Sequence, residues 1–490
     1  MNVLIVNITV FNDYDLFYDQ RSINKRSLEI MKLTKIPSGK RIGQGFILLM
    51  LITTLIYPLQ TFAQIKLTLD QAIELAVEKN YDAKKARLAV QKAEARKDEA
   101  IGNAFPTINI DAGYTNNLLK PKFFLPDFTN PGSGELHPVE IGATNAFRTS
   151  AKLTQILFNS AVFSGIGTAK IIYEASKEQY KSSLTKTISA VRKSFYGVLL
   201  AKELVNTFDT VLAAANRNLY VTEKMHQEGF VPEFDLIRAR TSVKNLEPEL
   251  LNAKLNYYNL LNLFKFNLGL DVSDSIELVG QIEIKNYRVP SLDSLMSILD
   301  DVNYDLKALA LVQKVQERKI NVYKSGYYPA LYLFGEYRYE GQSNDWDFQT
   351  FNSASVGIGL SYTLFNGLQT TNQVEQAKVD FLTSVEQYKQ TYNALKMKLT
   401  NAINKLETAH QKVKINEGNI ERARRGFEIS EVRYKEGTGS QVEINNAITA
   451  LANAKLNYLK AAYDYLQATI ELQELLGIVP EKYVNIYNDK

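Results

Sequence analysis

The 490-residue chain contains no cysteine, only three histidines and a single tryptophan. Without cysteine there are no disulfides, no thiol nucleophiles and no Cys-ligated metal, and a lipoprotein anchor is also excluded. The histidines, His137, His226 and His410, are too far apart in sequence to suggest a metal site or an acid–base pair. No Gly-rich phosphate loop or nucleophile–base spacing is visible, so the sequence reads as a non-enzyme with no metal and no other cofactor. An excess of one charge is missing too. Seven of the 57 basic and four of the 53 acidic side chains fall within residues 1–63, which leaves 50 against 49 and a net charge near +1 in the rest. A nucleic-acid partner would need a basic stripe, and none is present.

The apolar run 46–57 is short of the roughly 20 residues of a spanning helix. It follows Lys32, Lys35, Lys40 and Arg41 and precedes Thr61-Phe62-Ala63, the layout of a secretory signal cleaved before Gln64. Residues 1–30 look like neither signal nor fold, and Met31 is the expected start.

What the chain does have is a heptad seam without proline. Val385, Tyr388, Tyr392, Leu395, Leu399, Ala402, Leu406, Ala409, Val413, Ile420, Ala423, Phe427, Ser430 and Tyr434 recur at gaps of three and four, apart from a skip at Asn416. A continuous helix of this length is roughly 100 Å long at 1.5 Å per residue, too long for a compact globular domain. Moving back 208 positions gives a second seam, from Tyr180 and Leu184 through Val198, Ala201 and Leu212 to Ala215 and Leu219. The chain is therefore an internal duplication.

Each copy opens alike. Thr68-Leu69-Asp70-Gln71 fits a capping box that starts a short helix ending at Asn80, and Leu69-Asp70, Asn80-Tyr81-Asp82 and Pro106 return 223 residues later as Leu292-Asp293, Asn303-Tyr304-Asp305 and Pro329. After each proline the period changes to two. Ile108, Ile110, Ala112 and Tyr114 alternate with Thr107, Asn109, Asp111 and Gly113. Likewise Leu331, Leu333, Tyr337 and Tyr339 alternate with Glu336 and Arg338, although Tyr332 and Phe334 fall on the polar side. Partner strands carry Ala151 and Leu153 against Lys152, and Val356, Ile358 and Leu360 against Ser361, and both copies exit through Leu-Phe-Asn. The intervening segments, about 120–146 and 340–352, read as polar surface loops. Glu228-Gly229 and Glu436-Gly437 read as helix stops, each followed by a return helix, the first interrupted by Pro248 and so expected to kink.

The predicted layout is a first repeat at 64–279, with strands 104–116 and 147–158 and a helix hairpin 160–268. A second repeat at 280–490 has strands 327–339 and 353–365, a hairpin 367–476 and a C-terminal tail. Single strands of this kind suit a half-buried soluble sheet as well as a membrane. Four in the same register behind a secretion signal favour a membrane. Four strands cannot close a barrel, so several protomers must share one.

In this order and twice over, the Leu-Asp and Asn-Tyr-Asp openings, the Pro-initiated strands, the Leu-Phe-Asn exits and the two Gly-containing turns resemble the TolC-type outer-membrane efflux proteins across the whole mature chain. The resemblance implies an internally duplicated α+β membrane protein of the outer membrane, extending into the periplasm. Four transmembrane β-strands per protomer would join a shared homotrimeric, twelve-stranded barrel, continuous with a long α-helical periplasmic barrel of coiled-coil helices. It also implies a passive exit duct of a tripartite efflux or type I secretion system, docked to a periplasmic adaptor and an inner-membrane RND or ABC transporter. The alternative is a non-channel periplasmic coiled-coil scaffold or adaptor. By position in the family pattern, Asp235, Tyr434 and Glu443 are candidates for the periplasmic gate, while Gly439 and Asn446 stand where that pattern can carry arginine and aspartate. Glu228, Gly229, Glu436 and Gly437 are candidate adaptor contacts. Asn109, Asp111, Lys152, Glu336, Arg338 and Ser361 are the expected lumen-facing strand residues, with the opposite face toward outer-membrane lipid.

Overall fold

The computed structural model describes residues 65–126, 134, 136–284 and 291–478, so the expected signal and the last part of the tail lie outside the described residues. In chain order, the first half comprises β1 (Ile65–Leu67), α1 (Leu69–Lys79), α2 (Tyr81–Gly102), β2 (Thr107–Asn116), β3 (Lys122–Pro126), β4 (Leu136–Glu140), β5 (Asn145–Phe158), α3 (Ser160–Gln227) and α4 (Glu233–Leu268). The second half comprises β6 (Ile276–Leu278), α5 (Leu292–Val302), α6 (Tyr304–Lys324), β7 (Ala330–Ser343), β8 (Gln349–Ser361), α7 (Gln369–Lys435) and α8 (Gln441–Leu475).

Helices α3 and α7, of 68 and 67 residues, are the long elements that the seams predict, each about 100 Å at 1.5 Å per residue. Every position quoted from both seams is buried or half-buried. In the strand-proximal half α2 packs on α3 and α6 lies between α3 and α7; in the other half α4 replaces α2, and α8 replaces α6. Each half is thus a row of four helices sharing α3 and α7. Being second in both rows, α3 also buries residues off its seam, such as Ile188, Phe195 and Leu199. Helix α4 continues through Pro248 without a break.

The repeated Asn-Tyr-Asp motifs meet the Leu268-Gly269 and Leu476-Gly477 ends of the return helices where the two rows join. Asn80 caps α2, accepting from the Asp82 and Ala83 amides at 2.8 and 3.1 Å, and donates through Nδ2 to the Asn267 carbonyl at 2.8 Å. Asn303 repeats this, accepting from the Leu306 amide at 2.9 Å and donating to the Leu475 carbonyl at 2.8 Å. Each Asn therefore caps one helix and ties it to the end of the return helix. Gly269 and Gly477 close those return helices at φ +73° and +61°, and a Cβ on either would sit 2.3 Å from the carbonyl oxygen of Lys79 or Val302. Loss of the cap costs about 0.5–2 kcal/mol and a stranded carbonyl about 1–3 kcal/mol. Asn80→Ala and Asn303→Ala are each expected to lower the detergent melting temperature. Gly269→Ala should lower it more, because left-handed strain adds to the clash. Equal melting of all three variants and wild type would remove this junction from the account of stability.

Strands β2, β5, β7 and β8 form one antiparallel sheet in that order. Five features differ from the sequence expectation. The sheet strands start at Thr107 and Ala330, directly after Pro106 and Pro329, since proline has no N–H for the ladder. With the β7 ladder ended at Ala330 opposite Ser361, β8 stops there too and does not reach Phe365. At the other end β7 and β8 run on to Ser343 and back from Gln349, which leaves a loop of only five residues. The first loop, expected to be polar surface, contains the β3–β4 hairpin with Phe123, Phe124, Leu136 and Val139 exposed. Finally, β1 pairs in parallel with β6, joining residues far apart in sequence through strands too short to show a period.

Candidate gate and channel-lining residues

At the far tips of the helix hairpins, Gly229 and Gly437 adopt φ +77° and +71°, the left-handed conformation that lets a helix end and the chain turn. Glu228 and Glu436 are the C-cap residues just before them. These four predicted contact residues therefore sit at the two exposed turns.

Tyr434, the last seam residue of α7, is 3% exposed. The buried Thr222 hydroxyl donates to the Asn218 carbonyl at 2.9 Å, which leaves its oxygen to accept from the Tyr434 phenol at 2.9 Å, with Gln441 Oε1 3.2 Å away. This polar cluster joins α3, α7 and α8. Burial pushes the Tyr434 phenol above its ordinary pKa, a hydrogen bond that the Thr222 hydroxyl would turn to donate to the phenolate opposes that rise, and the nearby Asp235 charge adds to it. The structure thus brings Asp235, in the first turn of α4, near Tyr434, but the hydroxyl that Tyr434 bonds is that of Thr222. Glu443 is bonded instead to residues of its own turn. Its amide donates to Ser440 Oγ at 3.2 Å and its carboxylate lies 3.8 Å from Arg433 in a half-exposed pair. At Gly439 a Cβ would stand 3.1 Å from the Arg433 side chain and the Tyr434 amide, so this turn is closely packed.

Thr222 and Gln441 were not singled out from the sequence. Thr222 lies three residues beyond Leu219, at the next seam position, and a hydroxyl on a seam signals a buried partner.

The sheet register sorts the strand residues. Asn109, Lys152, Glu336 and Ser355 lie side by side, as do Asp111, Ser150, Arg338 and Ser353, and Ser361 opposite Ala330 shares their face. All six predicted lining residues are therefore on one side of the sheet. Arg148 and Glu340 pair on that side, and Arg338 donates to both Glu336 oxygens at 3.1 and 2.9 Å. The rings of Tyr332 and Phe334 also fall there, each lying over a cross-strand glycine, Gly359 and Gly357, where a Cβ would come within 2.3 and 2.7 Å of the ring. The aromatic side chains thus cover glycine backbone. On the opposite side stand Ile108, Ile110, Leu153, Val356, Ile358 and Leu360. Toward its loop end that side carries aromatics: Tyr114 stacks on Trp346 at 5.7 Å, and Phe147 contacts Tyr339 and Phe348 at 5.5 and 5.2 Å.

The sequence model of the family described as "Outer membrane efflux protein" matches residues 72–269 and again 295–478, well over half the chain. The chain belongs to that family. Outer membrane protein TolC of Vibrio cholerae is 22% identical over 383 residues, which cover 77% of this chain and 83% of the relative. Alkaline protease secretion protein AprF of Pseudomonas aeruginosa is 21% identical, with 69% of this chain and 71% of the relative covered. The fold is that of the solved outer membrane channel CmeC of Campylobacter jejuni, with a TM-score of 0.71 at 19% identity over 84% of this chain and 85% of that one. The Vibrio cholerae outer membrane protein VceC gives a TM-score of 0.68 at 14% identity over 84% and 96%. This TolC-type efflux protein is accordingly an outer-membrane protein with a periplasmic extension, and it serves as an efflux or secretion duct. Its family is one of channels, not of enzymes.

Proposed function

We propose that three copies of this chain close into one passive exit duct, with the sheets forming a barrel in the outer membrane and the helix rows a tunnel through the periplasm. The observation that carries this reading is the four-stranded sheet, apolar on one side and charged on the other, whose outer strands β2 and β8 both have an edge left unpaired among the described residues. In lipid such edges leave backbone groups unsatisfied, so each β8 must meet the β2 of another copy. The helix rows have the same need. Their outer members expose apolar side chains, including Leu251, Leu255 and Tyr258 on α4 and Val379, Leu382 and Met397 on α7. The apolar side from Leu331 to Tyr339 spans about 27 Å of strand, or roughly 20 Å of depth at a ~40° tilt, near the ~25 Å band of such barrels.

In this reading the charged side lines the water-filled lumen, with Arg148, Lys152 and Arg338 balanced by Asp111, Glu336 and Glu340. Glu228, Gly229, Glu436 and Gly437 meet a periplasmic adaptor serving an inner-membrane RND or ABC transporter, and Tyr434 and Asp235 belong to the gate. The cargo is small molecules or proteins. Light scattering in detergent should give the mass of three chains, and single cysteines placed on the edges of β2 and β8 should cross-link between chains, free of background in this cysteine-less protein. A monodisperse monomer with its strands folded would overturn both barrel and duct.

A further inference from the structure

Beside the Tyr434 cluster lies a cavity of about 400 Å³ between α3, α7 and α8. Its walls are apolar, formed by Ala214, Val221, Phe427, Ile444 and the Tyr434 ring, with Asn218 among them. Asn218 is 6% exposed and its Oδ1 is buried without a hydrogen-bond partner. A buried amide oxygen left unbonded is costly, and nothing else in the cluster reaches it. At the rim Lys435 is paired with Glu431 at 3.0 Å. Arg217, also on the rim, is exposed and has no carboxylate partner among the described residues.

We propose that this cavity is a binding site for a small amphipathic anion: an apolar ring system in the cavity, a hydroxyl or N–H donating to Asn218 Oδ1 once that amide turns toward the cavity, and a carboxylate or sulfonate at Arg217. Each part answers a separate feature. The volume lies in the range of small-molecule sites, which combine apolar walls with a few placed polar groups. The one acceptor lacking a donor sets the position of the ligand's donor. The unpaired guanidinium sets the sign of its head, since arginine binds carboxylates through a two-pronged fork. All the lining residues belong to one chain, so the site does not rest on the trimeric reading. An occupant would touch three helices at once and would favour the arrangement in which they are packed together, because a ligand stabilises whichever state it binds.

Titration calorimetry of the detergent-purified protein with hydroxynaphthoate tests the site. One ligand per chain is expected, with Kd on the order of 100 μM or tighter. Arg217→Gln, at an exposed side chain, should weaken binding at least fivefold. Asn218→Leu should do the same for hydroxynaphthoate while leaving plain naphthoate unchanged, and Ala214→Phe should fill the cavity and abolish binding. Unaltered oligomeric mass and melting temperature would show that the variants remain folded, and Arg217→Gln alone keeps the test decisive if the two buried variants do not. The proposal is overturned if hydroxynaphthoate gives no saturable heat, as when an apolar side chain of a neighbouring copy already fills the cavity. It is equally overturned if Arg217→Gln binds like wild type, or if uncharged naphthol binds as tightly as hydroxynaphthoate.

Discussion

Arginine at Ile110 or Leu360 is expected to cut the yield of membrane-inserted trimer, whereas arginine at the adjacent Asn109 or Ser361 should leave assembly intact and shift ion selectivity toward anions. Ile110 and Leu360 are 75% and 68% exposed on the apolar side of the sheet, and their neighbours lie on the charged side by register. An arginine facing lipid costs roughly 2–4 kcal/mol near the bilayer midplane. Over three copies that is about 6–12 kcal/mol, comparable with the whole stability of a folded domain. On the lumenal side the guanidinium stays in water and adds one positive charge per copy to a balanced set. A strand's side chains alternate with period two, so a sheet turned the other way would exchange the two phenotypes. Equal tolerance of all four substitutions would mean that this sheet never meets a membrane, and conductance with a range of anions and cations separates the lumenal pair from silence.

The features legible in the sequence were those with a long period. The heptad seams show α3 and α7 because one apolar stripe repeats over many turns, and the strand alternation shows which residues share a side. Short or non-local features were not legible. Ile276 to Leu278 become a strand only because Ile65 to Leu67 lie beside them, and three residues have no period to read. The β3–β4 hairpin is interrupted by Pro126 and Pro138 and by a Gly-rich stretch, so composition hid its Phe123–Val139 pairing. The Asn-Tyr-Asp repeat was visible as a motif, but its purpose was not, since the Asn267 and Leu475 carbonyls it binds lie 187 and 172 residues away. At the proposed gate, position in the family pattern points to Tyr434 and Asp235, while the hydrogen-bond partner on α3, Thr222, lies 212 residues from Tyr434 and meets it only when the helices pack.

That partner changes how the proposed gate should be taken apart. Asp235→Ala combined with Tyr434→Phe is expected to raise resting conductance in planar bilayers, with most of the effect coming from Tyr434→Phe. Thr222→Val should reproduce that share, because the 2.9 Å bond between the two hydroxyls joins α3 to α7 inside a buried cluster. A net loss of about 1 kcal/mol per bond, taken over three copies, is about 3 kcal/mol, on the order of a hundredfold in the ratio of closed to open duct. Asp235→Ala alone removes a nearby charge and no direct bond to Tyr434, so its effect should be smaller. Glu443→Gln serves as the contrast. Its pair with Arg433 is 3.8 Å long, with side chains 48% and 53% exposed, and such surface pairs are worth roughly 0–1 kcal/mol, so conductance should stay near the wild-type level. If Tyr434→Phe and Thr222→Val both leave conductance unchanged while the trimer remains intact, the cluster is merely the sealed end of a coiled coil. A larger effect from Glu443→Gln than from either would move the gate to the turn surface.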